Sequence, residues 1–327
     1  MKKIVVIAPK FFGIHDSIVN AFEAKGYQTY FYDERMNSTK LNKIILRKFP
    51  GLVQKKIKRY YDQILEEIKV IEPDGLFVIK CENIPVDFIK SVKTELPETT
   101  RIHYMFDPVD NCKNILNKME HFDYKLTFDK KDSIRYGWEF RPLFFPESLS
   151  KIVKDKNYLN LACFVGTLHT DRSMVIENIT NELAEKSSGS ILIYYYIPLK
   201  SMFFLGKYVK KIYRNLKFKD VTTKPMSQNE TNYQLVNSKH IIDVHHVKQT
   251  GLTLRTIESI GARSKLITTN PSIKDYDFYN ENNILIVNRD NPIIPLEWLQ
   301  LEYQDISSEI YDYYSISGFV NTFINLL

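Results

Sequence analysis

The sequence contains little cysteine and glycine, with 3 Cys and 11 Gly in 327 residues. Cys81, Cys112 and Cys163 lie too far apart for a disulfide framework or a zinc site. No apolar run reaches the roughly 18 residues of a membrane span. The apolar run 4–8, after a basic start, is too short for a secretory signal. We therefore expect a reduced, cytoplasmic protein.

Three common motifs are also missing. The first predicted strand is not followed by G-x-G-x-x-G, and neither G-x-x-x-x-G-K-[ST] nor G-x-S-x-G occurs. These absences disfavour dinucleotide dehydrogenases, P-loop NTPases and α/β-hydrolases. One D-x-D pair, Asp275 and Asp277, could hold a metal ion on a diphosphate, but its Asn-rich surroundings also fit a solvated turn. We expect no metal site and no cofactor.

The residues that are present describe a globular chain of two domains. The 21 Tyr and 20 Phe, within a hydrophobic content of 44%, supply far more apolar area than a disordered chain has. Short apolar runs alternate with amphipathic segments, as in 4–8, 16–25 and 27–32, which indicates βαβ units and parallel sheets. The last strand of the first series is predicted over 138–145, and a polar linker at 146–158 separates it from the second series, in which residues 200–216 are predicted to be helical.

We therefore predict an α/β protein with two Rossmann-like domains. The first would span residues 1–150, the second residues 151–305, and a helical tail residues 306–327. Within the second domain, Gly166 and Thr167 end the first predicted strand, and a glycine there allows a ligand to approach the backbone. A plain strand-to-helix turn is the alternative. Asp171 is expected to cap the helix that follows.

The segment 240–270 holds the most specific pattern. A strand ends near His245 and His246, and a helix is predicted to start over the run Thr250, Gly251, Leu252 and Thr253. The free N–H groups of a helix start suit a diphosphate. Three residues apart on that helix lie Arg255 and Glu258, a cation for phosphate and a carboxylate for ribose hydroxyls. An exposed ion pair is the alternative.

This pattern resembles the C-terminal domain of GT-B glycosyltransferases, most closely the CgeB-like and capsule or lipopolysaccharide transferases with an R-x-x-E helix. The resemblance implies two domains facing across a cleft, with C-terminal helices that can return to the first domain. Many retaining members have a second Glu eight residues before the ribose Glu, where this chain has Thr250. The donor residues implied are Gly166, Thr167, His246, Lys248, Thr250, Gly251, Leu252, Thr253, Arg255 and Glu258.

The catalytic base is expected in the first domain, at the carboxyl ends of its strands. His15 and Asp16 occupy the predicted loop after the first strand, and a histidine titrates near neutral pH. The alternative makes Asp16 a helix cap and His15 an ordinary loop residue. Asp107, after a later strand, is the second candidate, whereas Asp110 fits an N-cap.

Two basic runs, 40–59 and 200–219, contain no acidic residue. The second also interleaves aromatic and aliphatic residues, which favours an anionic membrane surface. A solvated helix face is the alternative, and no nucleic-acid module accompanies the charge.

The resemblance implies a metal-independent hexosyltransferase that moves a sugar from a nucleotide-sugar, its substrate, to a hydroxyl of a surface glycan or lipid-linked acceptor. It would be cytoplasmic and peripheral on the membrane. A nucleotide-sugar epimerase of the same fold and a non-catalytic scaffold are the alternatives.

Overall fold

The computed structural model divides the chain into two compact units. Unit 1 is Met1–Leu143 with Ile316–Leu327, and unit 2 is Phe144–Ser315. The structure describes residues 1–10, 13–35, 50–112, 114–155, 157–210, 212–246 and 251–327, with the backbone alone at 50–53.

Unit 1 is built on a six-stranded parallel sheet in the order β2-β1-β3-β4-β5-β6. Its central strands are apolar on both faces, as expected when helices cover the whole sheet. The strands are β1 Lys3–Ala8, β2 Gln28–Asp33, β3 Gly75–Ile79, β4 Thr100–Met105, β5 Tyr124–Thr127 and β6 Glu139–Phe140. The helices are α1 Ile14–Ala24, α2 Pro50–Ile71, α3 Val86–Glu95, α4 Leu116–Met119, α5 Lys130–Tyr136 and, from the end of the chain, α13 Ile316–Ile324.

The C-terminal helix α13 is part of the core of unit 1. Phe319 and Phe323 are fully buried, and the ring of Phe323 lies 4.2 Å from that of Phe77 on β3. Arg141 donates a hydrogen bond from Nε to Thr322 Oγ1 at 2.9 Å. One face of the first sheet is therefore covered by a helix from the far end of the sequence.

Unit 2 repeats the architecture, with the parallel order β12-β11-β10-β7-β8-β9. The strands are β7 Asn160–Thr167, β8 Ile191–Tyr196, β9 Val221–Thr222, β10 Ser238–Asp243, β11 Lys265–Thr268 and β12 Ile284–Ile286. The helices are α6 Glu147–Ser150, α7 Arg172–Lys186, α8 Lys200–Phe204, α9 Gln228–Val236, α10 Leu254–Gly261, α11 Leu296–Gln300 and α12 Ser308–Tyr314. The two parallel sheets confirm the predicted α/β fold class.

Several predicted elements differ from those observed. The last strand of the first half, expected over 138–145, is only Glu139–Phe140, and Phe145 instead pairs with Ser315. Pro142 has no N–H to donate, which disfavours a longer strand. The predicted polar linker contains α6. The predicted helix over 200–216 is an α-helical turn followed by the π-helical turn Leu205–Val209.

No helix within the described ranges is both long and apolar enough to cross a membrane.

Candidate functional site

The carboxyl edge of the unit 2 sheet has a switch point between β7 and β10. These strands are neighbours, with His240 beside Ala162, yet β8 and β9 lie between them in the sequence. The chain leaves β7 toward one side of the sheet and leaves β10 toward the other. Open parallel sheets bind ligands in the crevice that such diverging loops leave.

The pair Arg255–Glu258 on α10 lies beside β7. Arg255 Nη1 is 2.7 Å from Glu258 Oε2, and Arg255 Nη2 donates to the carbonyl of Val165 at 2.9 Å. Glu258 is 8% exposed, so this is a buried pair and not the exposed surface pair of the alternative interpretation. Arg255 Nη1 makes no directed hydrogen bond despite its proximity to the carboxylate. A buried guanidinium nitrogen with unused donor capacity is suited to an anionic ligand.

Burial raises the pKa of the Glu258 carboxyl, and Arg255 acts in the opposite direction. The carboxylate is therefore desolvated in the protein alone. Hydroxyl donors from a ligand would replace the water that it has lost.

Helix α10 starts later than predicted, at Leu254, because Thr253 caps it. Thr253 Oγ1 accepts a hydrogen bond from the N–H of Thr256 at 3.1 Å. The buried Leu252 and Gly251 precede the cap and do not form helical turns. Lys248 and Thr250, both predicted to bind the donor, lie outside the described residues.

Asp243 ties the helix to the strand end. This buried carboxylate ends β10 and accepts a hydrogen bond from Thr256 Oγ1 at 2.7 Å. The first turn of α10 is thereby fixed at the carboxyl edge of the sheet.

Arg172 connects the loops after β7 and β10. Its Nη1 donates to the carbonyl of Thr167 at 2.8 Å, and its Nε to that of Val244 at 3.0 Å. Thr167 thus faces the switch point through its backbone. At Gly166, an added Cβ would lie 2.8 Å from Cζ of Phe164, so a larger residue would have to displace that ring.

Asp171 is an ion-pair partner. It occupies the N-cap position of α7 but makes no side-chain cap hydrogen bond, contrary to its predicted role. Its carboxylate instead binds Arg289, with Nη2 at 2.8 Å from Oδ1. Burial alone would raise the pKa of Asp171, but the Arg289 guanidinium outweighs it, and the net pKa is lowered. Arg289 also donates to the carbonyl of His245 at 3.1 Å.

Three histidines lie along this edge. His245 Nδ1 is 2.8 Å from Thr269 Oγ1, which gives this ring a structural hydrogen bond. The rings of His246 and His169 are 5.5 Å apart. Burial, aided by Arg172 and His246, lowers the pKa of His169 to about 4. His169 is therefore neutral at physiological pH.

The corresponding switch point of unit 1 lies between β1 and β3. The turn after β3 places Lys80 and Cys81 at φ 72° and 67°, a left-handed conformation that costs non-glycine residues about 1 kcal/mol or more each. Lys118, a buried residue of α4, holds this turn by donating from Nζ to the carbonyls of Cys81 at 2.6 Å and Glu82 at 3.0 Å. The turn directs Lys80 into an ion pair with Asp107, which follows β4. Strained turns of this kind cluster at functional sites.

His15 and Asp16 belong to α1 and not to the loop before it. The helix begins at Ile14 behind Gly13, whose φ of 69° ends the loop, so Asp16 cannot be the N-cap. Asp110 likewise is no N-cap: it lies inside the 3-10 turn Val109–Asn111 and pairs with Arg135.

The His15 ring is mostly buried beside the ring of Phe31, 5.2 Å away. Its Nε2 is 3.4 Å from Asp16 Oδ1, and its Nδ1 is buried without a hydrogen-bond partner. The pair therefore retains the geometry of an imidazole with a neighbouring carboxylate.

Two clusters of side chains contain groups that metals can bind. Glu82, Asp107 and Cys112 place ligand atoms within 4.8 Å of one another. Burial raises the pKa of the Cys112 thiol to about 12, and Lys80 already pairs with the Asp107 carboxylate. In the D-x-D pair, Asp277 Oδ1 accepts a hydrogen bond from Tyr314 at 2.6 Å, which indicates a structural role.

Glu34 is a buried carboxyl group next to the strained turn of unit 1. Its Oε1 accepts a hydrogen bond from the N–H of Asn83 at 2.7 Å, while Oε2 has no partner. Burial raises its pKa to about 7. The folded protein therefore binds a proton here that the unfolded chain releases near pH 4.5. This contribution to stability is present at low pH and is lost as pH rises toward 7.

We expect Glu34→Gln to be more stable than the wild type at pH 8, by up to about 3 kcal/mol, and nearly equal to it at pH 4.5. The amide keeps the acceptor for Asn83 and carries no charge. Urea unfolding at both pH values measures the difference. The free energies of the variant and the wild type are compared at each pH, because buried His103 affects both proteins alike. The pKa of His103 is lowered to about 4, so its contribution to stability rises with pH, opposite to that of Glu34. The control is Glu98→Gln at an exposed position, which should not change how the free energy of unfolding depends on pH. An equal free-energy difference at both pH values would contradict the assignment.

The structure also identifies residues that sequence reasoning missed: Lys80, Lys118, Arg172, Asp243 and Arg289. Asp243 could have been found, because a carboxylate ending the apolar run of β10 is unusual. The others are brought together only by the fold.

No protein-family model and no curated protein matches the sequence. Solved structures do match. The UDP-GlcNAc 2-epimerase of Methanocaldococcus jannaschii, solved with UDP-GlcNAc and UDP, aligns with a TM-score of 0.54 and 14% identity over 100% of this chain and 99% of that chain. Anabaena HepE, solved with UDP and glucose, aligns with a TM-score of 0.60 and 8% identity over 100% and 99%.

The N-terminal domain of Candida albicans trehalose-6-phosphate phosphatase aligns with a TM-score of 0.65 and 11% identity over 99% and 96%. These likenesses, together with the two parallel sheets, show a two-domain α/β fold of the GT-B type.

Proposed function

We propose that the protein is a glycosyltransferase that uses a nucleotide-sugar donor. The observation that carries this proposal is the buried pair Arg255–Glu258 at the β7–β10 switch point. Its guanidinium would bind the diphosphate, and its carboxylate would accept the ribose hydroxyls. The solved structures with bound UDP support a nucleotide ligand for this fold.

Unit 2 would hold the donor. The start of α10 adds backbone N–H groups and the positive end of the helix dipole to Arg255. This arrangement can stabilise the negative charge that develops on a leaving diphosphate without a metal ion. Gly166, Thr167, His246, Gly251, Leu252 and Thr253 surround the same edge in our proposal, with Lys248 and Thr250 as further candidates outside the described residues.

Unit 1 would bind the acceptor and supply the base. A cavity of about 410 Å³ lies between α2 and α3 of this unit. Its lining combines aromatic rings, Tyr61 and Phe88, with carboxylates, Asp62 and Asp87, and a backbone turn at Asn83. Aromatic faces next to hydrogen-bonding groups suit a sugar. His15, assisted by Asp16, is the proposed base, with Asp107 as the second candidate.

The R-x-x-E helix also bears on the acceptor. The R-x-x-E helix resembles that of CgeB-like and capsule or lipopolysaccharide transferases, so we propose a hydroxyl of a surface glycan, lipid-linked where it is assembled, and a hexose as the transferred sugar. The protein would work in the cytoplasm at the inner face of the membrane. No nucleic acid is involved in this proposal.

An epimerase is the second candidate, because the M. jannaschii enzyme aligns over the full length of both chains. A non-catalytic scaffold that binds the nucleotide is the third.

A panel of nucleotide-sugars separates these functions. We expect slow release of free sugar from one donor, unchanged within about twofold by EDTA, because the proposed charge stabilisation needs no metal. The products are identified by NMR and mass spectrometry. An isomerised donor would establish the epimerase, and binding without turnover would establish the scaffold. Loss of activity in EDTA with recovery in manganese would contradict the metal-independent assignment and would indicate Asp275 and Asp277 as the metal ligands.

A further inference from the structure

The segment between β8 and β9 presents apolar side chains to solvent. In Tyr208 and Val209, 67% and 68% of the surface is exposed. We call this region the basic–apolar surface. Its exposed apolar residues are Leu199, Met202, Phe204, Leu205, Tyr208, Val209 and Phe218.

These side chains are not an unfinished part of the core. Phe203, Gly206 and Tyr213 form the inward face of the same segment and are buried. The Phe203 and Tyr213 rings stack with centroids 6.1 Å apart, and Tyr213 Oη donates to the carbonyl of Leu168 at 3.2 Å. The inward face is thus anchored to the loop after β7, while the outer apolar residues stay 36–68% exposed.

Basic residues accompany the apolar ones. The exposed side chains of Lys200, Lys210, Arg214, Lys217 and Lys219 belong to the same segment, which has no acidic residue from 200 to 219. Lys211 lies outside the described residues. A cluster of lysine and arginine around exposed aliphatic and aromatic groups is complementary to anionic headgroups above an acyl-chain boundary.

Three aromatic rings of the surface are aligned. Phe204 stacks with Tyr208, with centroids 6.2 Å apart, and with Phe218 at 5.6 Å. Tyrosine is enriched at the membrane–water interface, and phenylalanine is common on the apolar face of segments that lie in that interface. Such a row with basic neighbours could also stack nucleic-acid bases, but Leu199, Met202, Leu205 and Val209 would gain nothing there.

We propose that the basic–apolar surface docks the protein on an anionic lipid bilayer. Met202, Leu205, Tyr208 and Val209 enter the headgroup region, and the basic residues contact anionic lipids. Because α8 follows the carboxyl end of β8, the bilayer lies on the same edge of the unit 2 sheet as the proposed donor site. Binding to lipid does not depend on the proposed transfer reaction, so either can fail while the other stands.

Sedimentation with vesicles tests the proposal on the full chain. We expect binding to phosphatidylcholine vesicles that contain about a third phosphatidylglycerol, and little binding to phosphatidylcholine alone. Raising the salt from about 0.05 M to about 0.5 M should weaken binding strongly, because surface charges are screened. The triple variant Lys210→Gln, Arg214→Gln, Lys219→Gln should bind about a hundredfold more weakly.

A matched charge control removes three positive charges elsewhere. Lys55, Lys56 and Arg59 are exposed on α2, and their replacement by Gln should weaken binding by less than about threefold. An equal loss in both triple variants would mean non-specific attraction by net charge and would overturn the proposal.

The apolar contribution has its own pair of variants. Leu205→Ser, Tyr208→Ser, Val209→Ser should bind at least about tenfold more weakly. The control variant Val70→Ser, Ile134→Ser, Val153→Ser removes three apolar groups elsewhere that are even more exposed, and it should bind like the wild type. Far-UV circular dichroism verifies that each variant is folded.

Three further results would overturn the assignment. They are no sedimentation with anionic vesicles at low salt, a single-stranded oligonucleotide that binds more tightly than the vesicles, and concentration-dependent self-association that the apolar variant abolishes.

Discussion

His15→Ala is expected to lower kcat by about 10²–10⁴-fold and to leave nucleotide affinity unchanged. An inverting transfer needs a proton acceptor for the attacking hydroxyl, and we propose that His15 is this base. The Nε2 atom of the ring lies 3.4 Å from the Asp16 carboxylate, which would stabilise the imidazolium that forms. Single-turnover kinetics with the donor found in the panel, and calorimetry with the nucleoside diphosphate, measure the two quantities separately.

Two variants sharpen this experiment. His121→Ala is the matched control, because His121 also lies beside an acidic neighbour, with Nε2 3.3 Å from Glu120 Oε1, but precedes β5 at the opposite edge of the sheet. It should retain normal turnover. Asp107→Asn tests the second candidate, which is paired with Lys80.

If Asp107→Asn alone abolishes turnover, Asp107 is the base and the assignment of His15 is wrong. If His15→Ala and Asp107→Asn both retain turnover, neither residue is the base, and a retaining transfer, which needs no such base, becomes the alternative. NMR of the anomeric configuration of the product then decides the stereochemical course.

Glu258→Ala is expected to lower nucleoside diphosphate affinity at least about tenfold, because each charge-assisted hydrogen bond to ribose contributes about 1.5–3 kcal/mol. The buried position of the carboxylate complicates this variant. Removing one member of a buried ion pair can cost about 3–5 kcal/mol of stability, since Arg255 would be left uncompensated.

Glu258→Gln therefore accompanies the alanine variant. Glutamine retains the side-chain volume and one acceptor. This variant should also lose nucleotide affinity, but the unfolding temperature of the free protein should fall less than in Glu258→Ala. Glu182→Ala is the control: Glu182 pairs with Lys186 at 2.6 Å on α7, and its loss should not affect the nucleotide. Unchanged affinity in both Glu258 variants would exclude the proposed donor site.

The sequence was informative where the chemistry is local. The alternation of apolar runs and amphipathic segments predicted the two parallel sheets, and the three-residue spacing of Arg255 and Glu258 placed both residues on one helix face. The sequence did not show whether the pair is buried, because the i, i+3 spacing is the same for an exposed pair and for this pair beside Val165. The start of α10 was placed too early because Gly251 and Thr250 resemble a helix start, whereas Thr253 makes the cap.

Contacts between distant segments were out of reach for the same reason. Arg172 joins the carbonyls of Thr167 and Val244, and Lys118 holds the turn at Cys81; neither link has a local signature. His15 was expected in a loop, but the loop ends at Gly13 and the helix begins at Ile14. The positive φ of Gly13, which marks this boundary, cannot be recognised from the residue type alone.

The return of α13 to unit 1 has a consequence for biosynthesis. On the ribosome, the strands and helices of the first 143 residues emerge first, but the rings of Phe319 and Phe323 that cover β3 and β4 emerge about 180 residues later. Unit 2 is continuous in sequence and can close its core as soon as residue 315 has left the exit tunnel. Until residues 319–323 emerge, Phe77 and Tyr104 lack these two rings, and the nascent first unit exposes part of an apolar sheet face that chaperones can bind. The unit that is translated first is thus the one whose core is completed last.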